Sequence, residues 1–199
     1  MPIFLFFDID KQHVRAHQKL LENQIPNSQF ILEDVRKIKA DVFVSPANSY
    51  GYMDGGIDEI YSEMFPGIQK TVQDKIKAVS TINTRYGKPF LPVGCGLTVD
   101  TGTGKKLISV PTMDVPRDIR KTPENVYYAM IGILKLSDHY KNDTVVAIPG
   151  LGTGVGALSP EECSEQILLA YRDYHNMSIK HPRGTQIEEG DDFYLAKFP

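Results

Sequence analysis

Cysteine is scarce in this sequence: 199 residues contain only Cys95 and Cys163, and no CxxC pair. Two such thiols build neither a disulfide framework nor a zinc knuckle, so a reducing compartment is expected and catalysis must rest on other residues. A cationic excess is missing as well. Lysine and arginine number 22 against 25 acids, a net charge of −3, so no global positive field exists to hold a nucleic-acid backbone or an anionic bilayer. Long apolar runs are lacking. The longest near the N-terminus is Ile3 to Phe7, far below the ~20 residues of a spanning helix and short of a signal-peptide core. The expectation is a cytoplasmic protein with no membrane attachment and no intrinsic nucleic-acid affinity. Internal repeats and low-complexity tracts are absent too. What is present, 41% hydrophobic and 24% charged residues, provides for one globular core, and the length matches about one domain.

Strand-like and helix-like segments alternate from the start. FLFFDID reads as a strand, and Lys11 to Asn23, with Val14, Leu20 and Leu21 near helical spacing, as a helix. After the turn Pro26-Asn27-Ser28, QFILED and DVFVSPAN read as two further strands. Ile57, Ile60, Met64, Ile68, Val72, Ile76 and Val79 recur every three or four residues, predicting two helices broken at Phe65-Pro66-Gly67. Candidate strand pieces follow at Gly96 to Val99 and Lys106 to Pro111. Thr122-Pro123-Glu124 predicts a helix capped by Thr122 that runs to about Tyr140, with Met130, Ile133, Leu134 and Leu136 on its apolar face. TVVAIP has the composition of a fully buried strand. Ser159-Pro160-Glu161-Glu162 is a capping box opening a last helix, with Cys163, Ile167, Ala170, Tyr171 and Tyr174 on one face. Beyond Met177 the chain turns polar, interrupted by Pro182, Gly184 and Gly190. This pattern predicts an α/β protein, a three-layer α/β/α sandwich of residues 1–177, with residues 178–199 as a tail or edge extension.

Three loops directly after predicted strands carry the candidate chemistry, where open α/β sheets bind ligands. Asp34 ends a strand beside the N–H of Val35, an acceptor and a donor that suit the edge of adenine; a solvated acidic turn is the bland alternative. Asn48 leaves a strand into a loop with Gly51, Gly55 and Gly56, which lets backbone approach a ligand and amides face an anion. Asp58 follows at the expected start of a helix, as a general base or simply as a favourable first-turn acid. The loop PGLGTGVGALSPEE has glycines at 150, 152, 154 and 156 before a helix start, an arrangement that cradles a diphosphate with main-chain amides. Gly152 to Ala157 also fits GxGxxG/A, but no acid ends a strand about twenty residues on, so classical NAD binding is set aside. Other signals read more plainly. Asp8-x-Asp10 looks like the nucleophile motif of haloacid-dehalogenase phosphatases, with Gly190-Asp191-Asp192 as metal-binding acids, but Gln12 does not fit that pattern. His13 and His17, four apart with no third ligand, read as a solvated helix face. Cys95, between two glycines, reads as a small residue in a tight backbone passage.

Taken together, EDVRKIKADVFVSPANSYGYMDGGIDEI and AIPGLGTGVGALSPEE resemble, in order and spacing, the adenine-side aspartate, the asparagine-and-glycine loop and the phosphate loop of the macro domain, which binds ADP-ribose. VGCGLTVDTG resembles that family's central Gly-x-Ala-x-x-x-x-Gly stretch, and LISVPTM stands where its next strand does. The resemblance spans Ile3 to His175. It implies a mixed central sheet, with Asp34 on the adenine amine and the Val35 N–H on a ring nitrogen. It places Asn48 on the distal ribose, and Gly55, Gly56 and Ile57 along one side of the pyrophosphate. Gly152, Thr153, Gly154, Val155 and Gly156 wrap the other side. Asp58 matches the acid that orients or activates water in hydrolytic members, so Asn48 and Asp58 are the implied catalytic residues. Three departures stand out. Ser45-Pro46-Ala47-Asn48 replaces a pair of asparagines separated by two alanines, the glycine run is interrupted at Tyr50-Gly51-Tyr52-Met53-Asp54, and Gly156 lacks the aromatic ring that packs on the ribose. Tyr52 is the candidate replacement for that ring. The implied function is binding of ADP-ribose or an ADP-ribosylated macromolecule and hydrolysis of an ADP-ribose conjugate, as an ADP-ribosyl hydrolase or ADP-ribose 1″-phosphate phosphatase, with no metal or cofactor. A non-catalytic module that reads or sequesters ADP-ribose or a cyclic relative is the alternative.

Overall fold

The structure, a computed structural model, describes residues 1–79, 84–85, 87–180 and 186–197. The chain runs β1 (Ile3–Asp8), α1 (Lys11–Leu21), β2 (Ser28–Leu32), a 3₁₀ turn (Val35–Lys37), β3 (Val42–Ser45), α2 (Gly56–Met64) and α3 (Ile68–Val79). It continues with β4 (Thr84–Arg85), β5 (Lys88–Pro89), β6 (Gly96–Asp100), β7 (Lys106–Ser109), α4 (Glu124–Ser137), β8 (Val145–Ile148), α5 (Pro160–His175), β9 (Gln186–Gly190) and β10 (Phe193–Lys197). Eight strands form one sheet in the order β2-β1-β8-β3-β7-β6-β10-β9, while β4 and β5 pair separately. From β2 to β7 neighbours are parallel, and from β7 to β9 antiparallel, so the sheet is mixed.

Side-chain alternation along the central strands builds two cores, one on each face of the sheet. Phe4 and Phe6 of β1 and Val42 and Val44 of β3 join residues of α1, α4 and α5. Leu5, Phe7 and Phe43 turn the other way, onto Tyr61 of α2, Phe65 just after it, and Ile68, Val72 and Ile76 of α3. The result is a three-layer sandwich. Because the parallel strands β1, β3 and β8 are covered on both faces, they read as unbroken apolar runs.

The capping box forms as its residues dictate: Ser159 Oγ accepts from the Glu162 N–H, and the Glu162 side chain accepts from the Ser159 N–H. Two expectations need correction. Pro123 directly precedes α4 with helical backbone (φ −62°, ψ −23°), as a first-position proline does, but no side-chain hydrogen bond caps the helix, so the cap expected of Thr122 is not made. The histidines of α1 do not form a solvated face: His17 is 1% exposed and wedged against Phe6, and His13 is largely covered. The polar C-terminal segment contributes β9 and β10, the antiparallel edge beside β6; Pro182 and Gly184 lie outside the described residues. Among the described residues no helix is long and apolar enough to cross a membrane.

Candidate active cleft

The C-terminal ends of β1, β2, β3, β7 and β8 open onto one cleft of about 620 Å³. Each strand delivers its loop there for the same reason. A buried apolar run carries the chain through the core, and glycine, proline or a small polar residue then releases it. Asp34, Val35, Asn48, Tyr52, Gly55, Gly56, Ile57, Asp58, Gly152, Thr153, Gly154, Val155 and Gly156 all line this cavity. The sequence therefore converges on one place in space.

Asp34 stands at one end of it. Its Oδ1 accepts from the Arg36 N–H at 2.8 Å, and its Oδ2 from the Arg36 guanidinium at 3.2 Å, which itself reaches Glu63. The Arg36 N–H, with the guanidinium adding to it, holds the Asp34 carboxyl below the usual carboxylate range. It is thus an ionised acceptor at the cleft rim.

Asp58 lies in the first turn of α2. Only 8% exposed, it accepts from Ser45 Oγ at 2.5 Å, and Ser45 is itself fully buried at the end of β3. Burial pushes the Asp58 carboxyl up to about 7, against the opposing pull of the Ser45 hydroxyl, with Asp54 adding to the rise. A group at that value changes protonation at neutral pH, as acids and bases in active sites do. In the sequence Ser45 shows only as the replacement of an asparagine, with nothing local to mark it as a site residue. Its relation to Asp58 depends on two elements meeting at the sheet end.

Asn48, on the cleft wall, also organises its own turn. Its Oδ1 accepts from the N–H groups of Tyr50 and Tyr52, and its Nδ2 donates to the Tyr52 carbonyl at 3.0 Å. The side chain folds the 48–52 turn and keeps one amide hydrogen for a ligand. Tyr52, 42% exposed, stands on the cleft wall.

Two sets of main-chain amides flank the middle of the cleft. Gly55 precedes α2 and Gly56 takes φ +59°, so the helix starts with its unpaired N–H groups on the cavity. Opposite, the N–H groups of Thr153, Gly154, Val155 and Gly156 have no backbone acceptor among the described residues, whereas those of Ala157 and Leu158 close the turn onto Gly154 and Gly152. A Cβ at Gly156 would lie 2.3 Å from the Gly152 carbonyl oxygen. The missing aromatic ring is thereby explained: this turn has no room for a side chain there, and the loop presents Val155, 67% exposed, at the mouth instead.

Two further residues on the cleft were not expected to belong to it. Asp8, at the end of β1, and His13, in α1, are joined by a 2.8 Å hydrogen bond from Nδ1 to Oδ2. Asp10, the partner acid of the phosphatase-like motif, instead caps α1 by accepting from the Gln12 N–H. Asp191 and Asp192 sit in the β9–β10 turn, paired with His139 and Lys75 and far from β1 in strand order. The acids of that motif are not brought together, and among the described residues no cluster of three His, Cys, Asp or Glu is placed to hold a metal.

No family model matches the chain. An uncharacterised protein of Aquifex aeolicus is 30% identical over 157 residues, covering 78% of this chain and 87% of that protein. The macrodomain of Mycobacterium tuberculosis DarG superposes with a TM-score of 0.56 at 21% identity, over 71% of this chain and 87% of that one. A mutant Oceanobacillus iheyensis macrodomain solved with ADPR gives 0.54 at 19% identity, over 70% and 73%. The chain is therefore a macrodomain by fold, and it belongs to one family with the Aquifex protein.

Proposed function

We propose that the cleft binds ADP-ribose and that the protein hydrolyses an ADP-ribose conjugate, either a mono-ADP-ribosyl linkage or ADP-ribose 1″-phosphate. The observation that carries this reading is Asp58, a nearly buried carboxyl on the wall of a nucleotide-sized cleft, held by Ser45 and titrating near neutrality. Adenine lies at Asp34 and the Val35 N–H, and the diphosphate between the amides of 55–57 and those of 153–156. The distal ribose then falls beside Asn48 and Asp58. Ionised Asp58 takes a proton from water as that water attacks, and returns it to the departing group as the bond to the leaving group breaks. The amides hold the diphosphate charge throughout. Backbone supplies most of the anion recognition, so the site needs no cationic surface.

One observation favours a second reading, a module that binds ADP-ribose without turning it over. The carboxamide of Asn48 gives its oxygen and one of its two amide hydrogens to its own turn, and Gly156 leaves the ribose without a ring on that side. Calorimetric titration with ADP-ribose beside AMP, NAD and ribose 5-phosphate, followed by incubation with mono-ADP-ribosylated protein and ADP-ribose 1″-phosphate, separates the two. Micromolar affinity, about −8 kcal/mol, with product release that Asp58→Asn abolishes while binding persists, is the expected result. Binding without release from either substrate leaves the reader module. No heat and no thermal stabilisation at saturating ADP-ribose overturns both.

A further inference from the structure

The Asp8–His13 pair occupies a part of the cleft to which the reading above assigns nothing. β1 lies between β2 and β8 in the sheet. Asp8 is in register with Leu32, two residues before Asp34, and its Oδ2 would lie 3.2 Å from a Cβ at Gly150, where the glycine loop begins. The pair therefore stands between the adenine-side acid and the diphosphate loop. Its geometry is fixed from within: Oδ1 accepts from the Asp10 N–H at 2.8 Å, and Oδ2 from His13 Nδ1. A carboxylate only accepts, so Nδ1 carries the proton and Nε2 is left over. Each carboxylate oxygen also keeps a second lone pair. The side chains are 17% and 20% exposed, covered enough for hydrogen bonds made there to matter. Gly150 adds no side chain that would screen the carboxylate from the loop: a Cβ there would also come within 2.4 Å of Thr153 Oγ1.

A negative charge at this position repels phosphate, so the ligand must present an uncharged, hydroxylated part to it. In an adenine nucleoside diphosphate the part between base and diphosphate is a ribose with two vicinal hydroxyls. We infer that Asp8, oriented by His13, is the subsite that reads the adenosine ribose, accepting from its 2′- or 3′-hydroxyl and selecting ribonucleotides over deoxyribonucleotides and over 2′-phosphorylated ones. The inference rests on the reading of the cleft as a nucleoside diphosphate site, and a carboxylate on a ribose hydroxyl is the same chemistry that dinucleotide-binding folds use.

The test is titration of the wild-type chain with ADP, 2′-deoxy-ADP and 3′-deoxy-ADP, repeated in Asp8→Asn and His13→Gln. Wild type is expected to lose about tenfold or more in affinity for at least one deoxy ligand, the usual size of a hydrogen bond to a charged group. Asp8→Asn should lose a similar factor for ADP but little more when the hydroxyl is also removed, because the two deletions strike one contact. His13→Gln should weaken the discrimination by a smaller factor. Adenosine 2′,5′-bisphosphate should bind wild type more weakly than AMP. Equal affinity of wild type for ADP and both deoxy ligands overturns the inference while leaving the nucleotide cleft intact, as does tighter binding of the 2′-phosphate. Should Asp8→Asn not fold, the wild-type ligand series decides alone. Failure of both ADP and ADP-ribose to bind wild type sinks the cleft reading itself.

Discussion

Asp58 is subject to opposed influences, burial raising its affinity for a proton and the Ser45 hydroxyl lowering it. Removing the hydroxyl leaves burial and Asp54 unopposed. Ser45→Ala is expected to raise the Asp58 titration midpoint by about one unit, the worth of a typical net hydrogen bond, while ADP-ribose affinity stays within twofold. Carboxyl NMR of the two proteins measures this directly, and an unmoved midpoint would show that the 2.5 Å contact does not govern the acid. At the other end of the cleft, Asp34→Ala is expected to weaken ADP-ribose and AMP alike by about ten- to a hundredfold and to leave ribose 5-phosphate unchanged, since only the first two carry adenine. Competitive titration with the three ligands checks it. The residues that the sequence made visible are those whose function is advertised by local context: an acid or asparagine directly after an apolar run, or glycines before a helix. Ser45 and His13 have no such context, and Asp8, which does follow an apolar run, points by its local motif to a different chemistry. Ser45 ends a buried strand, Asp8 looks like half of a phosphatase motif, and His13 becomes a cleft residue only because α1 packs beside the end of β1.

At the scale of elements, the 152–158 turn is closed by hydrogen bonds onto Gly152 and Gly154, and its tightness excludes a side chain at 156. Gly156→Ala must push the Gly152 carbonyl aside. A loss of about 1–3 kcal/mol of stability in urea melts is expected, together with weaker ADP-ribose binding because the amides shift. Ser159→Ala, next along the chain, removes only a cap and should cost about 1 kcal/mol without touching affinity. A Gly156→Ala protein with wild-type stability and affinity would mean that the turn is slack. The same contrast explains which elements could be read in advance. α5 is announced twice, by its capping box and by Pro160, and both lie within four residues. α4 offers only Thr122-Pro123; the proline takes the helical dihedrals expected of it, but no side-chain hydrogen bond caps the helix, so its start carries one signal where α5 carries two. Only the first strand of the β9–β10 hairpin is polar; β10, FYLAK, pairs with β6 nearly a hundred residues away, where Phe193 meets Leu97. No local pattern encodes such a partner.

For the whole molecule, two buried ionisable groups on opposite sides of the sheet set the response to pH. Burial raises Asp58 from 3.8 to about 7, so the folded state binds protons more tightly than the unfolded one and stability falls as pH rises through that window. Burial lowers His17 from 6.5 to about 4, with His13 adding to the drop and Asp8 opposing it, so here the unfolded chain binds protons more tightly and stability falls as pH drops. Each effect is worth up to roughly 3–4 kcal/mol at full burial, and between pH 4 and 6.5 they nearly cancel. The wild type is therefore expected to show a flat stability profile across that range, while Asp58→Asn loses about 3 kcal/mol on acidification from 6.5 to 4, as urea melts at each pH will measure. A flat profile in the variant would show that His17 does not titrate as a buried group. The same division has a further consequence. Because the sheet separates two cores, the α2–α3 layer and the α1–α4–α5 layer are expected to open to solvent as separate units, each with its own amide exchange rate in the unliganded protein. The cleft draws one wall from each layer, Gly55 to Asp58 from one and Gly152 to Gly156 from the other. A nucleotide lying across it acts as a strap, so that exchange in the two layers should slow together and merge into a single opening event.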